Sequence, residues 1–196
     1  IKRFTAWFAL GILVIFTSCV GGGSQSSSGS GSEVVKEIPR VVAPAFDADS
    51  AFAFVAQQVA FGPRVPNTSE HEACAAWLSS ELERHGAEVT VQEGRARAFD
   101  GTILNMKNIV GTFHPESRDR ILLFAHWDTR PFADKDSVRQ REPIDGANDG
   151  ASGVGVLLEI ARQLGLNAAD VGVDIVFFDA EDYLSLIHIS EPTRHE

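Results

Sequence analysis

The chain has 196 residues, which is enough for one sizeable hydrophobic core, and this length favours a single domain over two. Hydrophobic residues make up 44% of it and charged residues 22%, ordinary values that exclude a collagen-like or wholly disordered chain. Acidic residues outnumber basic ones by 27 to 17, the formal net charge is −10, and the sequence has no basic stripe. We therefore predict no nucleic-acid partner.

The first residues have the pattern of an export signal. Lys2 and Arg3 precede an apolar run over residues 6–16, which is too short to span a bilayer comfortably and ends in small residues before Cys19. The pattern resembles the lipobox of bacterial lipoproteins, although Phe16 stands where leucine is usual. The resemblance implies a lipid-modified Cys19 and an exported lipoprotein of the bacterial cell envelope, anchored on the periplasmic side or at the outer membrane. A plain signal peptide or an anchor helix is the alternative.

Composition divides the remaining chain into a tether and a globular part. Residues 1–18 are the predicted signal peptide, and nearly every residue from 21 to 32 is Gly or Ser. Such a stretch cannot pack a core, so residues 19–45 are predicted to be a flexible tether that begins at the lipidated cysteine. We predict that the folded part begins at residue 46.

Two helices are predicted at the start of the folded part. Asp47 and Asp49 can cap the first, and its predicted inward face carries Phe52, Val55 and Val59. A Ser-x-x-Glu capping box over residues 69–72 opens the second, which Gly86 ends. Its predicted inward face carries Ala73, Ala76, Trp77 and Leu82. Cys74 in this helix is predicted to be a small buried thiol.

The strands alternate with a third helix. Strands are predicted over residues 88–92 and 104–113, with a turn at Asp100-Gly101 between them. Two apolar runs, 121–125 and 173–178, flank a helix over residues 151–164. Its predicted inward residues are Val154, Leu157, Leu158 and Ala161. Two apolar strands separated by a helix indicate a β-α-β unit with parallel neighbours in a buried sheet, and hence an α/β fold.

Polar residues collect where the apolar strands end. His126 and Asp128 follow one strand, Glu181-Asp182 follow the next, and Asp149 lies in the loop before the helix between them. Ligands of open α/β sheets bind beyond the carboxyl ends of the strands, so these groups are expected to converge. Gathered carboxylates repel one another without a cation, and mixed histidine and carboxylate ligands suit zinc. Each residue alone also has an ordinary explanation, as a helix cap, an acidic turn or a core histidine.

Three segments together resemble a known superfamily. They are Ala-His-Trp-Asp-Thr-Arg-Pro at 125–131, Gly-Ala-Asn-Asp-Gly-Ala-Ser-Gly at 146–153, and Phe-Phe-Asp-Ala-Glu-Asp-Tyr at 177–183. They resemble the metal-site segments of the zinc aminopeptidase and glutaminyl cyclase superfamily, and within it the bacterial glutaminyl cyclases of the animal type. Residues 61–66 with His71-Glu72 also resemble the family's amino-terminal region. The resemblance implies a three-layer α/β/α fold around a twisted, mixed, largely parallel sheet, of which residues 46–183 are the amino-terminal part.

The resemblance implies a role for each acidic residue of the site. Asp149 matches the family's zinc-ligating aspartate. Asp182 matches the second carboxylate ligand, which is usually glutamate in relatives. Glu181 matches the general acid/base.

The neighbouring residues receive roles that depend on the reaction. His126 binds a second zinc in the two-zinc aminopeptidases, but the matching histidine of the single-zinc cyclases does not hold the metal. Asp128 is expected to orient neighbouring groups. Arg130 is expected to bind a carboxylate or pair with a site acid, and an ordinary surface ion pair is the alternative.

The function that the resemblance implies is that of a glutaminyl-peptide cyclotransferase with one zinc. It converts the amino-terminal glutamine of a peptide to pyroglutamate and releases ammonia. The alternative is a two-zinc aminopeptidase, which also acts on peptides with a free amino terminus. A third possibility is a binding domain on the same fold that has lost catalysis, against which the intact Glu181 argues.

The pattern changes after Tyr183. Residues 184–196 resemble a translated sequencing-adapter read-through, so we predict an artefactual tail; a natural strand over 184–189, ended by Pro192, is the alternative. The family's third zinc ligand is a histidine far downstream, and His188 and His195 are poor candidates for it. We therefore expect an incomplete site, uncovered apolar faces and an inactive, poorly soluble 196-residue chain.

Overall fold

The computed structural model describes residues 42–185, which form one mixed sheet and the helices around it. The helices are α1 (Ala48–Ala60), α2 (Ser69–Arg84), α3 (Ala151–Leu166) and α4 (Glu181–Ser185). The strands are β1 (Glu88–Arg97), β2 (Ile103–Phe113), β3 (Arg120–His126) and β4 (Gly172–Phe178). The predicted signal peptide, Cys19, most of the tether and the tail from residue 186 lie outside the described residues.

The sheet has the strand order β1-β2-β4-β3. β3 and β4 run parallel, as the β-α-β prediction requires, whereas β1 pairs antiparallel with β2 and β2 pairs antiparallel with β4. The mixed α/β class is therefore confirmed, but the sheet is not largely parallel in its described part. The short turn at Asp100-Gly101 joins β1 to β2, and strands joined by so short a connection must be antiparallel.

The main described core lies on one face of this sheet, and a smaller buried cluster is formed by Ala98, Leu104, Ala180 and Tyr183. α2 packs on β1 and β2, α3 packs on β3 and β4, and α1 packs on α3. The inward residues predicted for α3, namely Val154, Leu157, Leu158 and Ala161, are all buried. Fully buried side chains from both layers join them, among them Leu78, Leu82, Ile109, Ile175 and Phe177. The second helical layer of the predicted three-layer fold is not among residues 42–185, and neither is any helix long and apolar enough to cross a membrane.

The predicted inward face of α1 is wrong at Phe52, which is 73% exposed. Ala51 and Gln58 are buried instead, and Gln58 Nε2 donates to the carbonyl oxygen of Ala151 at 3.1 Å. Ala51 is buried in place of Phe52 because α3 approaches α1 closely at this point. A Cβ on Gly155 would lie only 2.9 Å from the carbonyl oxygen of Ala51. A small residue therefore faces α3 where a phenylalanine was expected. Asp47 caps α1 as predicted, through Ser50 N–H and Asp49 N–H.

The predicted face of α2 is wrong at Ala73 and Ala76, which are exposed, whereas Leu82 is buried as predicted and Trp77 is half-buried against the core. The buried residues are His71, Cys74, Ala75, Leu78 and Leu82. The first buried residue of α2 is a polar one, His71. The buried face is therefore rotated from the face that the apolar residues alone predict. The helix begins at the predicted place, but its N-cap is Thr68, whose hydroxyl accepts from His71 N–H at 3.2 Å.

β3 was predicted to be a buried strand, and its exposure is the main departure from that prediction. Ile121 is 49% exposed, Leu122 57% and Phe124 64%. β3 is an edge strand of the described sheet, and an apolar run does not by itself show that both of its faces are covered. Phe124 packs edge-on against Phe178 with a centroid distance of 5.7 Å. The expected uncovered apolar surface is thus found on this strand.

Candidate metal centre and active site

Three predicted ligands converge at the carboxyl edge of the parallel strands. His126 ends β3, Asp149 precedes α3, and Asp182 lies in the first turn of α4, directly after β4. One possible ligand atom from each of the three lies within 4.8 Å of the others. His126 Nε2 and Asp149 Oδ1 are 3.2 Å apart.

Asp149 reaches the cluster because Gly150 allows its loop to pass close to β3. Gly150 has a φ of 85°, a conformation that residues with a side chain rarely adopt. A Cβ at this position would lie 3.0 Å from the carbonyl oxygen of Asp128 and 3.3 Å from His126 Cε1. The loop is held from its other side by Ser152, whose hydroxyl donates to the Asn148 carbonyl at 2.6 Å.

Asp128 joins the two strand ends. Its fully buried carboxylate accepts from Glu181 N–H and from Asp182 N–H, both at 3.1 Å. It therefore satisfies the first free amides of α4, and burial raises the pKa of Asp128. Its Oδ1 also lies 3.6 Å from His126 Nδ1. These contacts are the ones that an orienting role requires.

Asp182 presents its two oxygens to different surroundings. Arg130 donates to Oδ1 through Nη2 at 2.9 Å and also holds Asp134 at 2.9 Å, so Arg130 pairs with a site acid. Oδ2 is buried and has no hydrogen-bond partner within residues 42–185. A buried carboxylate oxygen without a partner is costly, and a cation at that position would satisfy it. The donor set of one histidine and two aspartates therefore fits a zinc ion.

The charges around His126 also favour a cation. The carboxylate of Asp128 is the largest cause that raises the pKa of His126 to about 9, against the opposing effect of burial. Glu181 and Asp182 raise it further. Several carboxylates thus surround one imidazole, and their negative potential would also attract a divalent cation.

Glu181 stands at the solvent side of the cluster. Its side chain is 56% exposed, and its Oε2 lies 3.8 Å from His126 Nδ1. The predicted acid/base is therefore next to the candidate metal ligands and open to an incoming molecule. This placement suits a group that exchanges protons with a substrate.

The sequence did not assign a role to Arg64, which the structure places behind the site. Arg64 is fully buried and donates to the carbonyl oxygens of Trp127 at 3.1 Å, Asp145 at 2.7 Å and Gly146 at 2.9 Å. Burial lowers the pKa of Arg64. Its guanidinium thus joins the end of β3 to the loop that carries Asp149. A second unassigned group is the buried pair of His71 and Asp179, whose Nε2 and Oδ2 atoms are 2.8 Å apart.

This fold is shared with proteins of known structure. The glutaminyl cyclase of Tannerella forsythia is 56% identical with a TM-score of 0.73, over 78% of this chain and 53% of its own. A Zn-dependent exopeptidase from Parabacteroides distasonis is 56% identical with a TM-score of 0.72, over 78% and 53%. The glutaminyl cyclase of Bacteroides thetaiotaomicron, in a structure with N-acetylhistamine, is 54% identical with a TM-score of 0.71, over 78% and 51%.

The described part of the chain accordingly has the fold of the zinc-dependent exopeptidases and glutaminyl cyclases. Residues 108–186, which include His126, Asp149 and Asp182, match Peptidase family M28. The resemblance predicted from the three motifs is therefore confirmed. The chain spans about half the length of the solved relatives that it matches.

Proposed function

We propose that the protein that carries this site is a glutaminyl-peptide cyclotransferase, which converts an amino-terminal glutamine to pyroglutamate and releases ammonia. The observation that carries the proposal is the exposed Glu181 beside the cluster of His126, Asp149 and Asp182, whose ligand atoms lie within 4.8 Å of one another. The identity of 56% to a glutaminyl cyclase supports it. The substrates would be peptides with a free amino terminus.

Asp149 and Asp182 would hold the zinc ion in this enzyme. The free Oδ2 of Asp182 supports this assignment, since Arg130 already occupies Oδ1. When bound, zinc polarises the γ-carbonyl of the glutamine as a Lewis acid. A cyclase is expected to use one zinc ion, with His126 beside the metal rather than bound to it.

Glu181 would move the proton. Its carboxylate takes a proton from the α-amine of the glutamine, and the amine nitrogen forms a bond to the side-chain carbonyl carbon, Cδ. The bond from that carbon to the side-chain nitrogen breaks, and the same carboxyl returns the proton to the departing ammonia. Because nucleophile and electrophile belong to one residue, correct orientation of the substrate supplies much of the rate enhancement. The exposure of Glu181 leaves room for such a substrate.

A two-zinc aminopeptidase is the second candidate, and one contact favours it. His126 Nε2 lies 3.2 Å from Asp149 Oδ1, so these two residues would together hold the second zinc ion of such an enzyme. Glu181 would then activate a water molecule against the first peptide bond. The identity of 56% to a Zn-dependent exopeptidase supports this candidate too.

A chimera separates the candidates. Residues 42–183 of this chain would replace the matching segment of the Tannerella forsythia glutaminyl cyclase, whose remaining half completes the protein. The chimera is incubated with a peptide that begins with glutamine, and products are followed by mass spectrometry and an ammonia assay. We expect pyroglutamyl peptide and ammonia in equal amounts.

Controls make the result specific to this chain. Glu181→Gln in the chimera should abolish turnover, whereas Glu116→Gln, at an exposed position, should not change it. Release of free glutamine with a shortened peptide would instead identify an aminopeptidase. A chimera that folds and binds zinc without either product, while the parent enzyme is active, would contradict both and favour the binding domain.

We also infer an exported lipoprotein anchored through Cys19. The basic start, the short apolar run and the Gly/Ser tether support this inference. Such an anchor would hold the enzyme at a membrane of the cell envelope while the tether keeps its site accessible to peptides.

A further inference from the structure

His71 touches the residues that follow both site strands. It lies in α2 and is fully buried. Its Nε2 is 2.8 Å from Asp179 Oδ2, directly after β4. Its ring stacks on Trp127, directly after β3, with a centroid distance of 4.4 Å and an interplanar angle of 21°. One side chain thus links the two segments that carry the proposed ligands.

The carboxylate of Asp179 is fixed by three donors. Besides His71 Nε2, Lys107 N–H donates to Oδ2 at 2.6 Å and Ala180 N–H donates to Oδ1 at 2.7 Å. The amide of Asp179 itself donates to Asn108 Oδ1 at 3.0 Å. Since a carboxylate only accepts, the tautomer of His71 that donates from Nε2 completes this set.

Ala180 shows what these bonds hold in place. Its φ is 63°, in the left-handed region that residues other than glycine rarely adopt. Such a conformation persists only where the surroundings impose it, and Asp179 Oδ1 binds the amide of Ala180 in this turn. Glu181 and Asp182 follow immediately, so the direction of this turn decides where both carboxylates point.

Trp127 is the second residue that the His71 ring contacts. It is fully buried, its Nε1 donates to the carbonyl oxygen of Lys107 at 3.1 Å, and its amide donates to Phe178 at 3.0 Å. Trp127 lies between His126 and Asp128 in the sequence. The stacked His71 ring therefore packs against the residue that sets the position of both.

We propose that His71 is a positioning residue of the metal centre. By bonding Asp179 and stacking on Trp127, it holds the Ala180 turn so that Glu181 and Asp182 face His126. The inference rests on the metal site proposed above. This role explains why a histidine occupies a core position. Within residues 42–185 its Nδ1 has no hydrogen-bond partner, so the bond from Nε2 to Asp179 is the polar contact of the ring.

The first experiment needs no metal. Hydrogen–deuterium exchange is measured on the full chain for the amides of Glu181 and Asp182, which donate to Asp128, and for α1 as a reference. His71→Phe keeps an aromatic ring but removes the donor, and His71→Gln keeps a donor but removes the ring. We expect His71→Phe to speed exchange at these two amides by at least ~10-fold relative to α1. His71→Gln should restore part of the protection.

The second experiment measures zinc affinity by competition with a chromophoric chelator. Partners of metal ligands commonly contribute ~10- to 100-fold in affinity, and we expect a loss of that order for His71→Phe. His85→Gln, which changes a buried histidine at the opposite end of α2, should leave the affinity unchanged. Should His71→Phe fail to fold, Asp179→Asn is the second disrupting variant, with the same expected losses.

The outcomes are distinct. Local loss of protection with weakened zinc binding supports the inference. Exchange that rises equally in α1, or a zinc affinity equal to wild type in a folded disrupting variant, would overturn it. If the wild-type chain binds no zinc but His71→Phe still speeds exchange at the two amides, the proposed metal site is contradicted and the positioning of the Ala180 turn is supported.

Discussion

Arg64 Nη1 donates to the carbonyl oxygen of Asp145 at 2.7 Å, across a sequence separation of 81 residues. Both partners lie behind the candidate site, the first in the loop after α1 and the second in the loop that leads to Asp149. The bond joins a buried cation to a neutral acceptor, and the other short bonds of the guanidinium also go to carbonyl oxygens. Arg64 therefore fixes backbone rather than neutralising a single acid.

Replacing Arg64 tests this function. Arg64→Met leaves three carbonyl oxygens without their donor, and each buried unsatisfied group costs about 1–3 kcal/mol, so we expect a loss of roughly 2–5 kcal/mol in the free energy of unfolding. Zinc affinity should fall as well, because the Asp149 loop loses its support. Chemical denaturation and zinc titration measure the two effects. Arg118→Met, at an exposed arginine, is the matched control, and equal stability of both variants would show that the carbonyl contacts are not needed.

Glu181 should be separable from its neighbour Asp182. We expect Glu181→Gln to lower cyclisation by the chimera about 10²- to 10⁴-fold, the usual contribution of a general acid/base. Zinc affinity should stay within a few-fold of wild type, since Glu181 is exposed and is not among the three clustered ligands. Steady-state kinetics and zinc titration on the same samples check both parts. Equal loss of zinc and activity would make Glu181 a ligand instead.

Glu159 gives the fold a pH-dependent bond. Its carboxylate accepts from Arg162 at 2.7 and 2.9 Å and from the amide of Asp47 at 3.1 Å, which ties α3 to the start of α1. The bonds from Arg162 are the main cause that lowers the pKa of Glu159 from 4.5 to about 2. A carboxyl whose pKa is lowered on folding stabilises the folded state at a pH above its unfolded-state pKa. That stability is lost as the pH falls toward the pKa of the folded state.

We therefore expect Glu159→Gln to reduce the free energy of unfolding by about 1–3 kcal/mol at neutral pH, the range for hydrogen bonds to charged groups. The difference from wild type should shrink as the pH falls from 4.5 toward about 2. Denaturant titrations over that interval follow the convergence, with the exposed Glu116→Gln as a pH-matched control. A difference that stays constant across the interval would contradict the assignment.

The two cysteines should behave differently. If Cys19 is the lipidated residue, Cys19→Ala abolishes incorporation of a radiolabelled fatty acid in bacteria that express the chain. Cys74→Ala should leave labelling intact, because Cys74 is fully buried in α2 and burial raises the pKa of its thiol to about 12. Labelling that survives the Cys19 change would exclude the anchor.

Local patterns predicted the parts of the fold that depend on local rules. The stripe of Val154, Leu157 and Leu158 has helical spacing, and all three residues are buried. The carboxyl-end rule for parallel strands brought His126 and Asp182 together, although they are far apart in sequence.

The features that the sequence did not reveal depend on distant partners. The buried face of α2 includes His71 because its ring bonds to Asp179 and stacks on Trp127. Both partners are distant in sequence, so the residues near His71 do not reveal these contacts. The partners of Arg64 are backbone carbonyls, which leave no trace in side-chain patterns. The exposure of Phe124 depends on what lies beside its strand, and an apolar run is the same in either case.

Zinc titration of the 196-residue chain and of its Asp149→Asn and Asp182→Asn variants tests whether these two aspartates hold the metal. We expect wild type to bind zinc at this cluster with the weak affinity of an incomplete ligand set, and each variant to lose that binding without unfolding. Zinc binding that is the same in wild type and in both folded variants would contradict it.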